Sequence, residues 1–114
     1  MQINVRTSNP SILASELLSA IQNGYIKTWK IVPFDHQSKI TKTDGYWHDS
    51  ALVELQKTNN HLIIKFTDDY GLLNDKLKAS YLSEITEILL VHFNEHFNSM
   101  ETKYLNYKKL VMKN

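Results

Sequence analysis

Two histidines stand four residues apart, His92 and His96. On a helix that spacing can present two imidazoles to one zinc ion. The metalloprotease order places Glu directly after the first His; here Phe93 follows His92, and Glu95 precedes His96. The signature therefore fails. Helical projection also sets His96 in an apolar stripe beside Leu89 and Met100. The plainer reading is a pair at the edge of the core whose ring nitrogens find hydrogen-bond partners.

The run Tyr46-Trp47-His48-Asp49 is the second candidate. His48 beside Asp49 would make an oriented general base, with Tyr46 as a nearby donor. Adjacent residues of an extended strand point opposite ways, so this cast needs a turn. Otherwise Trp47 plugs the core, and His48 and Asp49 solvate a loop. Asp35-His36, Asp44 and Lys65 could join from across a sheet. Base, acid and cation together would suit metal-independent RNA cleavage.

Asp68, Asp69 and Asp75 lack the regular oxygen-ligand spacing and the Gly of a calcium loop, which leaves a solvated turn. No glycine-rich phosphate loop, Walker pattern or nucleophile elbow occurs. Lys103, Lys108, Lys109 and Lys113 interleave with Tyr104 and Tyr107. Basic and aromatic residues together can hold single-stranded nucleic acid, although lysines late in a helix also match its dipole. No cofactor site is expected.

These groups must be positioned by a chain whose Gly and Pro all lie in its first 71 residues. That split predicts turns and strands first and helix afterwards. Ile3 and Val5 alternate with polar neighbours, as in a short strand. Asn9-Pro10 opens a helix striped by Leu13, Leu17 and Ile21, and Gly24 ends it. Residues 25–34 read as a strand, and 38–42 as another. Residues 51–57 and 61–67 alternate about Asn59-Asn60 as a hairpin. Residues 68–78 are ambiguous. From Ala79 a helix runs along Leu82, Ile85, Leu89, Phe93, His96 and Met100, and Tyr104, Tyr107 and Val111 continue its stripe. Carried through residue 112, it would be ~50 Å long. A break near Asn98–Thr102 is therefore expected, or a helical extension over residues 101–114 that meets a second copy. The expected fold is α+β in the order β-α-β-(β)-β-β-α. A mainly antiparallel sheet of 4–5 strands carries two helices on one face, and its other face is free for a partner.

Composition narrows the classes further. The chain has 114 residues, enough for one domain spanning 1–114 with a modest core. It contains no Cys, which removes disulfides, thiol catalysis and Cys-based metal sites. Thirteen Lys+Arg against 12 Asp+Glu give no general pull toward nucleic acid or anionic membrane. No apolar run approaches the ~20 residues of a membrane span, and the N-terminus lacks a signal peptide's apolar core. A cytoplasmic protein is expected.

Several landmarks resemble a group of small, uncharacterised bacterial proteins. They are the early strand with Asn9-Pro10 and its Leu/Ile helix, Gly24, Thr28-Trp29, Trp47, and Tyr81 opening a last helix with Ile88-Leu89-Leu90-Val91-His92-Phe93. The chain departs from that pattern between Trp29 and Trp47 and extends further at its C-terminus. The resemblance implies a bacterial source and one compact α+β unit, and no reaction comes with it.

The sequence thus points to a non-catalytic protein-binding partner, such as an immunity protein that neutralises a toxin. Its contacts would be Trp47, His48, Asp68, Asp69, Tyr70, Tyr104 and Tyr107, because aromatic surplus with modest charge suits a protein interface. The alternatives are a ribonuclease-like enzyme using His48 with Asp49, Tyr46 or Lys65, and a nucleic-acid binder acting through the Tyr/Lys tail.

Overall fold

A computed structural model describes residues 1–68, 70–71 and 73–103. Their order is β1 (Gln2–Arg6), α1 (Pro10–Gln22), β2 (Trp29–Phe34), β3 (Gln37–Lys42), β4 (Val53–Lys57), β5 (His61–Phe66), α2 (Asp75–His92), a 3-10 turn at Asn94–His96, and β6 (Ser99–Lys103). The six strands form one sheet, β2-β3-β4-β5-β1-β6, in which every neighbouring pair is antiparallel. No described helix is long and apolar enough to cross a membrane.

Strand alternation creates the core. Ile3, Val5, Leu62, Ile64, Phe66, Val53 and Ile40 point to one face and are buried there. Leu13, Leu17 and Ile21 of α1 join the same cluster, as do Leu77, Tyr81, Leu82, Ile85 and Leu89 of α2. Each buried aliphatic side chain contributes about 1.5–3 kcal/mol. Asn9 caps α1 through Ile12 N, and Pro10 fills the first turn. Asn74 caps α2 through Leu77 N, so the ambiguous segment ends by starting the helix before Ala79.

The sheet has six strands rather than four or five, and the extra one lies in the stretch expected to be helix. The helix stops at His92, with Phe93 as its cap. Phe93 is buried and Phe97 packs on the core, so the apolar stripe is satisfied without further helical turns. Asn98 N donates to Arg6 O, and Ser99–Lys103 then pairs along β1. Met100 and Thr102 face the helices, while Ser99, Glu101 and Lys103 face away. Pairing along the backbone of β1 outweighs the local helical pattern. The helical extension expected over residues 101–114 thus meets a strand at 101–103. Residues 104–114 lie outside the described part, and with them the expected helical contact to a second copy.

Among the described residues, the helix-free face is not rich in aromatic side chains. Register puts Lys39, Glu54, Lys65, Gln2 and Lys103 in one row across five strands. Lys39 Nζ lies 2.5 Å from Glu54 Oε2, and Lys65 Nζ 3.8 Å from Glu54 Oε1. Among the described residues, the aromatic contribution is a corner where Tyr70 meets Phe34 edge-on, ring centroids 5.6 Å apart.

The ladder has a seam. In antiparallel pairing, hydrogen-bonded pairs alternate with non-bonded ones. Asp35 and His36 both have positive φ, 54° and 63°, and make a two-residue hairpin turn between β2 and β3. Phe34–Gln37 is then a bonded pair, as are Val32–Lys39 and Lys30–Thr41. The backbone groups of Ser38, Ile40 and Lys42 consequently point toward β4. On the other side, Thr67 N donates to Leu52 O. By alternation Glu54 and Gln56 face β5, while Val53, Leu55 and Lys57 face β3. Yet the described β3–β4 ladder holds one pair, Ile40–Val53, against six pairs between β2 and β3 and five between β4 and β5. Ser38 and Leu55, the next pair of the hydrogen-bonded kind in that register, are not joined in the ladder.

This arrangement predicts a hydrogen-exchange pattern. The amides of Ser38, Leu55 and Lys57 should exchange far faster than those of Ile64 and Val53 in the same sheet. Equal protection at all five would mean that the seam is closed in solution.

Candidate functional site: a braced aromatic loop

Ten residues, 43–52, connect β3 to β4 and carry five of the residues singled out above, Asp44, Tyr46, Trp47, His48 and Asp49. Their path is held from several sides. Asp49 N donates to Lys42 O at 3.1 Å and closes the loop at its base. His48 N donates to Gly45 O and Ser50 N to Trp47 O. Gly45 takes φ +83°, which a glycine adopts without Cβ strain.

The strongest brace comes from α2. The Tyr81 ring is fully buried, edge-on to Trp29 with ring centroids 5.3 Å apart, and beside Phe66. Its hydroxyl donates to Trp47 O at 2.6 Å and accepts from Ser50 N at 3.3 Å. Thr41 Oγ1 donates to Ala51 O at 2.6 Å. The two hydroxyls also approach within 3.3 Å, but each hydrogen is already engaged, so that contact is packing. Lys42 reaches Glu84 of α2 in an ion pair, with the lysine side chain buried. Thus α2 grips both the strand entering the loop and the loop itself. Gly71 adds contact from the other side: a Cβ there would stand 2.4 Å from Ser50 O.

What this frame presents is aromatic. Tyr46 is 84% exposed, although its ring sits edge-on to Trp47 at 4.6 Å between centroids. Trp47 is half-buried and rests against the core. His48 is exposed, with Nδ1 2.9 Å from Gly45 O. A carbonyl only accepts, so this contact puts the proton on Nδ1 and leaves Nε2 to solvent. Asp49, at φ +54°, pairs with Lys30 at 2.7 Å. Both side chains are about half exposed, and such a pair contributes about 0–1 kcal/mol.

The four residues of the ribonuclease-like cast have separate engagements. Asp49 holds Lys30, Lys65 faces Glu54 on the open sheet face, His48 leans on Gly45, and Tyr46 packs on Trp47. Asp35 and His36 form the β2–β3 turn, and Asp44 is exposed in the loop. Of the expected partner contacts, Trp47 and His48 are in the loop. Asp68 is exposed at a turn, and Tyr70 precedes Gly71, which meets the loop at Ser50, while its own ring packs on Phe34 of β2. Asp69, Tyr104 and Tyr107 lie outside the described residues.

His92 and His96 do not share a helix face, because the helix ends between them. Both are exposed. His92 meets Tyr25 edge-on at 5.5 Å, and His96 contributes its carbonyl to Thr7 Oγ1. Among the described residues no three His, Asp or Glu side chains gather as a metal site.

Sequence reasoning missed the role of Tyr81, which sits in a helical stripe like any core residue. Its hydroxyl was the available signal, since a buried Tyr O–H needs a partner. The chain matches no protein-family model, and neither the curated proteins nor the solved structures give a match.

Two substitutions test the bracing. Tyr81→Phe keeps the ring and removes the hydroxyl's bonds to Trp47 O and Ser50 N, which keep only their 3.2 Å bond to each other, so urea unfolding should show a loss of about 0.5–1.5 kcal/mol. Gly71→Ala should destabilise the protein more than Gly24→Ala. Both positions have positive φ, but Gly24 has open space where a Cβ would stand and Gly71 has Ser50 O. Equal effects would deny the contact.

Proposed function

We propose that this chain is a non-catalytic binding partner of another protein in a bacterial cell, acting as immunity proteins do by covering a toxin. The observation that carries the reading is Tyr46, a large exposed aromatic side chain on a loop whose backbone is fixed from within. Ordering a flexible loop on association costs about 0.5–1.5 kcal/mol for each immobilised side chain, and a preset loop avoids much of that. Tyr and Trp are the residues most often found at the energetic centre of protein interfaces.

The reading assigns Tyr46 and Trp47 the centre of the contact, with His48, Asp44, Asp68 and Tyr70 around them. Asp69, Tyr104 and Tyr107 stay with the proposal as contacts from outside the described residues. A partner covering ~800 Å² per side would span the loop and the Tyr70 corner together. The exposed carboxylates of Asp44 and Asp68 favour a partner with basic residues at that rim.

Affinity purification with quantitative mass spectrometry tests this. Wild type and Tyr25→Ala, which removes an exposed aromatic elsewhere, should capture the same stoichiometric protein. Tyr46→Ala should lose it by about tenfold or more, the loss expected for an anchor of at least about 1.4 kcal/mol. The purified chain should leave RNA intact in EDTA from about pH 5 to 8. RNA cleavage abolished by His48→Ala, or capture indifferent to Tyr46, would overturn the reading.

A further inference from the structure

The seam between β3 and β4 opens into a cleft of about 610 Å³. That volume is within the range of ligand sites, roughly 300–1,000 Å³. Its walls come from both faces of the sheet. Gln37, Glu54, Gln56 and Lys65 belong to the open face, while Ser38, Leu55 and Lys57 belong to the helix side, where Ala14 and Leu18 of α1 close it. The cleft therefore passes between two strands rather than lying on a surface. The residues whose backbone groups point into the seam by alternation, Ser38, Leu55 and Lys57, all line it.

We infer that this cleft is a peptide-binding site, and that its ligand is an extended segment of a partner protein alternating small apolar with acidic residues. Three features set that chemistry. First, the N–H and C=O groups of Leu55 and Lys57 lie on an interrupted ladder, and an extended backbone can resume it. Second, one side of such a strand faces Ala14, Leu18 and Leu55, an apolar floor that suits small aliphatic side chains. Third, the charge balance is positive. Lys57 and Lys65 line the cleft with Glu54 as its acid, and Glu54 is met both by the buried Lys39 at 2.5 Å and by Lys65 at 3.8 Å, so three lysines stand against one carboxylate. Acidic side chains on the ligand complement this excess of positive charge, from Lys65 on the open face and from Lys57 on the helix side, whereas basic ones meet repulsion. This site is separate from the aromatic loop and stands without the reading given to that loop.

The probe is a fluorescent peptide of alternating Val and Glu, about eight residues long, compared with its Val/Lys counterpart and with a version N-methylated on alternate residues. Titration into the ¹⁵N-labelled full chain should shift the amides of Ser38, Leu55 and Lys57. Fluorescence anisotropy should show the Val/Glu peptide binding about tenfold or more tightly than the Val/Lys peptide, and N-methylation of its ladder-facing groups should abolish binding. Lys57→Glu, at an exposed position, should weaken the acidic peptide while leaving the amide spectrum folded. Tyr46→Ala should leave this binding unchanged. No shift up to about 1 mM peptide, equal binding of the two charge types, or shifts centred on the aromatic loop would overturn the inference.

Discussion

One hydroxyl group ties the exposed aromatic loop of this protein to its core. The Tyr81 ring is packed among Trp29, Phe66 and the apolar residues of α2, while its O–H lies among backbone groups of the β3–β4 loop. A buried hydroxyl without a partner costs a few kcal/mol, so the loop backbone and the helix must keep their relative position. Thr41 to Ala51 and Lys42 to Glu84 act in the same direction. The consequence is that Tyr46 and Trp47 project from a frame set by the core. A surface of this kind meets a partner without first being ordered.

The same grip explains how the sheet can be interrupted and still hold together. The β2–β3 hairpin joins β4 by a single backbone pair, but Trp29 and Lys42 anchor it to α2, and Lys39 anchors it to Glu54. The other four strands are fully laddered around β1. The hairpin is therefore attached mainly by side chains, and the cleft occupies the place where backbone bonds would have been. An extended ligand there would supply hydrogen bonds that the chain itself does not make across β3 and β4.

Much of the architecture was legible in residue order. Asn9-Pro10 and Gly24 bracket α1, and the alternation about Asn59-Asn60 gives the β4–β5 hairpin. The failure at β6 is instructive. Ser99-Met100-Glu101-Thr102-Lys103 alternates as a strand does, but Met100 also falls four residues after His96 in a helical stripe. No Gly or Pro separates the two readings, and only the vacant edge of β1 decides between them. The loop chemistry was legible as a list of residue types and not as a geometry. Nothing local says that Asp49 turns to Lys30 rather than to His48, because Lys30 arrives from a strand nineteen positions earlier. The seam was hidden for the same reason, since pairing between strands is a property of their packing.

The most direct test of the central claim is the backbone order of residues 45–50, read from ¹⁵N relaxation of the free protein and of Tyr81→Phe. If the hydroxyl braces the loop, order parameters in the wild type should match rigid backbone, about 0.85, and should fall toward 0.6 or below when the hydroxyl is removed. A loop that is already mobile in the wild type, or that stays equally ordered without the hydroxyl, would contradict the account.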